Sequence, residues 1–145
     1  MKAAIFTSLL ASLLLLAACP GTQKGPSAGE VRMQKQNQIT ALWTQIRDWR
    51  REGGMDVDPS PSLIAQPPKT VSDAKRVCPD AHKVPATCND ICSLADAICD
   101  NAEAICGLAD ELGKQDDFAQ GKCTSAKASC REAKQRCCGC SDKPQ

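Results

Sequence analysis

The sequence predicts an all-α protein: a disulfide-stapled antiparallel helical hairpin with an additional N-terminal amphipathic helix. Three observations predict it. Cys92, Cys99 and Cys106 are seven residues apart, and so are Cys123, Cys130 and Cys137. A step of seven returns to nearly the same face of an α-helix, drifting by only about 20°, so each triplet is one stripe along one helix. The pairs Cys106/Cys123, Cys99/Cys130 and Cys92/Cys137 share a single index sum, 229, which is the condition for facing residues in an antiparallel pair. Upstream, Ile39, Leu42, Trp43, Ile46 and Trp49 fall on one face of a further helix.

Residues 1–18 read as a signal peptide. Met1 and Lys2 supply a positive start, and Ala3 to Leu16 is an uncharged apolar run of fourteen residues. That is short of the about 20 needed to span a bilayer, and small residues follow it, as at a cleavage point. The tract Leu16-Ala17-Ala18-Cys19 resembles the bacterial lipobox. The resemblance implies that Cys19 takes a diacylglycerol on sulfur and an acyl chain on its nitrogen, becoming the new N-terminus. The chain would then sit in the cell envelope, anchored to a membrane by lipid, with no other cofactor. Pro20 stands where an aspartate would favour inner-membrane retention, which favours the outer membrane. Export also means an oxidising compartment.

Residues 19–29, rich in Gly, Pro, Ser, Thr, Gln and Lys, make a lipidated flexible tether. Residues 30–54 form the amphipathic helix, ended by Gly53-Gly54, with Arg50-Arg51 as a solvated helix end. Residues 55–86 hold Pro59, Pro61, Pro67, Pro68, Pro79 and Pro85 and exclude long regular elements. Ser72 to Val77 can make a turn or two of helix, with Ser72 as cap.

Residues 87–140 are the hairpin. Thr87 caps its first helix, with Asp90 as the return partner, and Gly113 ends it. Asp116 or Asp117 caps the second, which closes at Gly139. Alanines interleave with the cysteines: Ala109/Ala119, Ala102/Ala126 and Ala95/Ala133 share the sum 228. Small residues are required there because a disulfide needs Cα atoms about 5.5–6 Å apart, closer than the about 8–10 Å of ordinary helix pairs. The first helix is acidic and the second basic, and the register sets Asp96 opposite Lys134 and Glu103 opposite Lys127. The remaining cysteines give Cys88–Cys140 and Cys78–Cys138, with an exchange between these two pairs left open. Ile91, Ile98, Ile105 and Leu112 form an apolar row that the N-terminal helix is expected to cover. Residues 141–145 are a tail.

Composition narrows the function. Without Lys2 the 18 basic residues fall to 17, equal to the 17 acidic ones, so no nucleic-acid partner is indicated. Large apolar side chains are scarce, and cysteine is the expected remedy for a small core. Seven-residue spacing strings thiols over several turns and does not close a zinc site. No metal is therefore expected, although Cys78, Cys88, Cys138 and Cys140 keep a thiol-based metal or redox protein as the alternative. His82, the single histidine, reads as an exposed loop residue. No nucleophile–base pair or phosphate loop stands out. The tracts Asp90-Ile91-Cys92-Ser93-Leu94-Ala95-Asp96 and Cys123-Thr124-Ser125-Ala126-Lys127-Ala128-Ser129-Cys130-Arg131-Glu132-Ala133 are similar to uncharacterised cysteine-rich lipoproteins of predatory or soil deltaproteobacteria. That resemblance implies envelope residence and supplies no activity. Mitochondrial twin-cysteine proteins and plant hairpin inhibitors use nine- or three-residue gaps, and nothing is carried over from them. The expectation is a non-catalytic, lipid-anchored module that meets an envelope protein partner.

Overall fold

Ser27 starts the first helix. Its hydroxyl accepts from the Glu30 N–H at 3.3 Å, and Glu30 accepts from the Ser27 N–H at 2.6 Å, a reciprocal cap that satisfies two otherwise unpaired donors. Helix α1 therefore runs Ala28–Glu52 and takes two residues from the expected tether. The computed structural model describes residues 25–79 and 83–141. The signal segment, Cys19, the start of the tether, His82 and residues 142–145 lie outside the described residues.

Gly54 ends α1 with φ +67. The Gly54 N–H donates to the Arg51 carbonyl at 3.0 Å and the Met55 N–H to the Arg50 carbonyl at 2.8 Å. This Schellman motif needs a residue that adopts the left-handed region without steric cost. Two short helices follow, α2 (Pro61–Ala65) and α3 (Val71–Lys75). Thr70, not Ser72, caps α3, because Asp73 three residues on returns the bond to Thr70. A 3-10 turn, Ala86–Cys88, leads into α4 (Asn89–Leu112). Cys88, buried and bridged to Cys140, occupies the N-cap position expected of Thr87. Gly113, at φ +87, closes α4, and α5 (Asp117–Gly139) returns after it.

Helices α4 and α5 form the antiparallel hairpin. Cys92–Cys137, Cys99–Cys130 and Cys106–Cys123 bridge it at Cα separations of 4.8, 4.6 and 4.7 Å. Ala95, Ala102, Ala109, Ala119, Ala126 and Ala133 are all buried between the rungs; a larger side chain there would hold the helices too far apart for the bridges.

Helix α1 packs on both. Lys35 pairs with Glu111 and Asn101 donates to the Gln45 side chain, so positions rise along α1 as they fall along α4. Gln36 meets Asp116 and Arg50 meets Glu132, so α1 runs parallel to α5. Ile39, Trp43 and Ile46 bury against Ile98 and Ile105, while Ile91 and Leu112 are half-buried at the ends of the row. Asp96 pairs with Lys134 as the register requires. Glu103 does not meet Lys127: α3 lies alongside, and its Lys75 takes Glu103 at 2.7 Å while Lys127 donates to the Lys69 carbonyl.

This packing has a direct optical consequence. Trp43 is 7% exposed and Trp49 half-buried. In a Trp49→Phe variant, acrylamide quenching of Trp43 is expected to be several-fold weaker than for free tryptophan. Quenching as fast as in the free amino acid would mean that α1 is detached from the hairpin.

Candidate functional site

Ten cysteines are paired in five disulfides. Besides the three rungs these are Cys78–Cys138 and Cys88–Cys140, at Cα separations of 5.4 and 6.0 Å. These last two join the C-terminal end of α5 to the incoming loop and to the turn that precedes α4, at the end of the bundle remote from the α4–α5 turn. A sulfur in a disulfide is not a thiolate and is neither a nucleophile nor a metal ligand in that state. No group of three or more His, Cys, Asp or Glu among the described residues could hold a metal ion.

The most elaborate polar cluster forms where α1 ends. Because Gly54 turns the chain back, the Asp56 and Asp58 carbonyls face the Arg50 guanidinium. Its Nε donates to the Asp56 carbonyl at 2.8 Å, and its Nη2 donates to the Asp58 carbonyl at 3.1 Å and to Glu132 at 2.6 Å. The second Glu132 oxygen accepts the Ser60 N–H at 2.8 Å. Arg50 is 1% exposed, which corrects the expectation of a solvated helix end: it lies one heptad beyond Trp43, on the face turned to α5. Burial alone pushes the Glu132 carboxyl up. The bonds from the Ser60 N–H and from Arg50 outweigh that and hold it below its ordinary value. The cluster walls a cleft of about 340 Å³ that also holds Gln135 and Arg136. Chemically it clamps helix to helix and presents charge of both signs.

A second cluster sits at the other end. Asp116 is 2% exposed. It caps α5 by accepting the Ala119 N–H at 3.1 Å, and it receives Arg32 at 2.9 Å and Gln36 at 3.0 Å from α1. The bond from Ala119, with those from α1, holds its carboxyl below the usual aspartate range against the opposing effect of burial. This carboxylate docks the α4–α5 turn on the start of α1. Beside it Phe118 is 42% and Met33 58% exposed.

Sequence patterns locate the three cysteine rungs and the Trp43 face, and the structure fixes the open exchange as Cys78–Cys138 and Cys88–Cys140. They do not locate Arg50 with Glu132. One signal was present: Glu132 is the lone acid among the bases Lys122, Lys127, Arg131, Lys134 and Arg136. No helix among the described residues is long and apolar enough to cross a membrane. No family model matches the chain, and no curated protein or solved structure matches it.

Proposed function

We propose that this chain is a non-catalytic lipoprotein of a bacterial cell envelope. Lipid on Cys19 holds it to a membrane, the outer one in a two-membrane envelope, and the stapled helical module is displayed beside that membrane for an interaction or structural role with an envelope protein. One observation carries the reading: the described disulfides account for ten of the 11 cysteines, and the one left over is Cys19, in the lipobox-like tract. An odd cysteine in an otherwise fully bridged protein calls for a separate chemical role, and acylation supplies one. The bridges also suit an oxidising compartment. Several acyl chains on one residue give stable anchoring, so the mature chain needs no spanning segment.

The test is direct. In a bacterial host, Cys19→Ala is expected to abolish incorporation of labelled fatty acid and to block normal processing of the signal segment. If the variant is processed normally and still sediments with membranes, the anchoring reading fails. The thiol-based alternative is checked by titrating free thiols in denaturant. Near-zero thiols are expected, and four or more would favour the alternative.

A further inference from the structure

The described part of the chain has three exposed large hydrophobic residues: Met33, Ile64 and Phe118. Ile64 lies in α2, just after Ser60, whose N–H is bonded to Glu132 in the far half of α5. Met33 and Phe118 both lie toward the opposite end. Met33 follows Arg32, which binds Asp116, and Phe118 follows Asp116 by two residues. That is also the end at which α1 begins, capped by Ser27.

Cys19 precedes Ser27 by eight residues, which span at most about 28 Å even when fully extended. With lipid on Cys19, the start of α1 is therefore confined close to the bilayer surface. We infer that Met33 and Phe118 enter the lipid interface and fix the orientation of the module, with the Asp116 end toward the membrane and the Arg50 cleft away from it. This inference rests on the anchoring reading.

Magnitudes support a docked state only for the tethered protein. Burying one methionine and one phenylalanine favours the bound state about a thousandfold, a dissociation constant of about 1 mM. That is too weak to recruit a free protein. A short tether, however, supplies an effective concentration in the millimolar range or above, enough to populate the docked state. Charge adds little. Around these residues Arg32 and Lys35 are taken by Asp116 and Glu111, and Glu30, Asp110 and Asp117 stand against Lys114 and against Lys122, whose ammonium lies 5.9 Å over the Phe118 ring. Docking should therefore occur on zwitterionic lipid and depend weakly on salt.

The whole mature chain, isolated with its lipid, is reconstituted in phosphatidylcholine vesicles with and without a spin-labelled lipid. Once the signal segment is removed, Phe118 is the only phenylalanine and Met33 and Met55 the only methionines, so fluorophenylalanine and methyl-labelled methionine report single sites. Met55 lies just past the far end of α1, about 30 Å of helix away from Met33, and serves as the internal control. Expected is loss of the Met33 and Phe118 signals with spin-labelled lipid while Met55 persists. Phe118→Ser should restore about half or more of the Met33 signal, since about tenfold or more of the partitioning is removed, and leave the protein in the membrane fraction. Equal broadening of Met33 and Met55, or a Met33 signal indifferent to Phe118→Ser, overturns the inference. So does a Met33 environment that changes with protein density on unlabelled vesicles, which identifies a second copy as the occupant. Recovery of the unaltered chain without lipid, in the soluble fraction, overturns the anchoring reading itself.

Discussion

Reduction of the five disulfides is expected to unfold the protein at room temperature. Among the described residues, the buried apolar ones larger than alanine and cysteine are Ile39, Trp43, Ile46, Val71, Ile98 and Ile105, a thin core for three long helices. The Cys106–Cys123 bridge closes a loop of sequence separation 17, about 3 kcal/mol in the chain-entropy account of disulfides. Each outer rung then closes a further loop of seven residues on either helix, a similar length and so a similar contribution. Three rungs together, about 9 kcal/mol on this reckoning, are comparable with the whole net stability of a typical domain, about 5–15 kcal/mol. Reduction also removes the geometric reason for the close approach of α4 and α5, whose alanine layers bury little area each. Far-UV circular dichroism before and after complete reduction, verified by thiol count, checks this. A fully reduced chain that keeps its helical signal and melts cooperatively would show that packing suffices. Peptide mapping without reductant tests the register separately: a dominant Cys92–Cys99 bridge within α4 contradicts it, since those positions stand about 10 Å apart on a helix.

Glu132→Ala, with all disulfides intact, is expected to cost about 3 kcal/mol or more. Arg50 is 1% exposed, and Glu132 is its only ion-pair partner among the described residues. Deleting one member of a buried pair leaves an uncompensated charge, whereas replacing both with apolar groups is often nearly neutral. Arg50→Met combined with Glu132→Ala should therefore recover much of the loss. Urea unfolding of the two single variants and the double variant measures the coupling. Additive losses, or a change below about 0.5 kcal/mol for Glu132→Ala, a typical surface effect, would mean that the clamp is not a stabilising element. The same carboxylate sets an acid dependence. Its folded pKa is depressed below the ordinary 4.5, so its contribution is fully present above that value and is lost as pH falls through the folded pKa. Stability should decline on acidification below about 4.5, and Glu132→Gln should flatten part of that decline.

The hairpin was legible in the sequence because its constraints are covalent and periodic. Seven-residue spacing permits a single antiparallel register for three pairs, and the alanines at the alternate layers repeat that register independently. Cys138 lies off the stripe of Cys137 and helical phase turns it outward, but the exchange between Cys78–Cys138 and Cys88–Cys140 is open in the sequence and fixed only by the structure, because no repeat sets a register beyond the three rungs. The N-terminal helix was legible from its apolar face, and its end from Gly53-Gly54. Single charged side chains were not. Arg50 reads as part of a solvated helix end, and although it lies one heptad beyond Trp43, nothing local says that a carboxylate waits there to let it be buried. Lys75 likewise lies 28 positions from Glu103, and only the path of the proline-rich segment brings α3 beside α4.

The amino-acid sequence by itself determined the three long helices to within a few residues, the three cysteine rungs of the hairpin and the two apolar rows that need covering, because periodicity along a helix fixes direction in space and a disulfide tolerates only a narrow separation. Tertiary structure alone decided that α1 lies parallel to α5, that Cys78 takes Cys138 while Cys88 takes Cys140, that Lys75 displaces Lys127 from Glu103, and that Arg50 is enclosed by the Asp56 and Asp58 carbonyls and Glu132. Each of those outcomes depends on groups brought together by the course of a loop. A loop without a repeat has many paths of similar local energy, and the choice among them is made only when distant charges and apolar surfaces are satisfied at once.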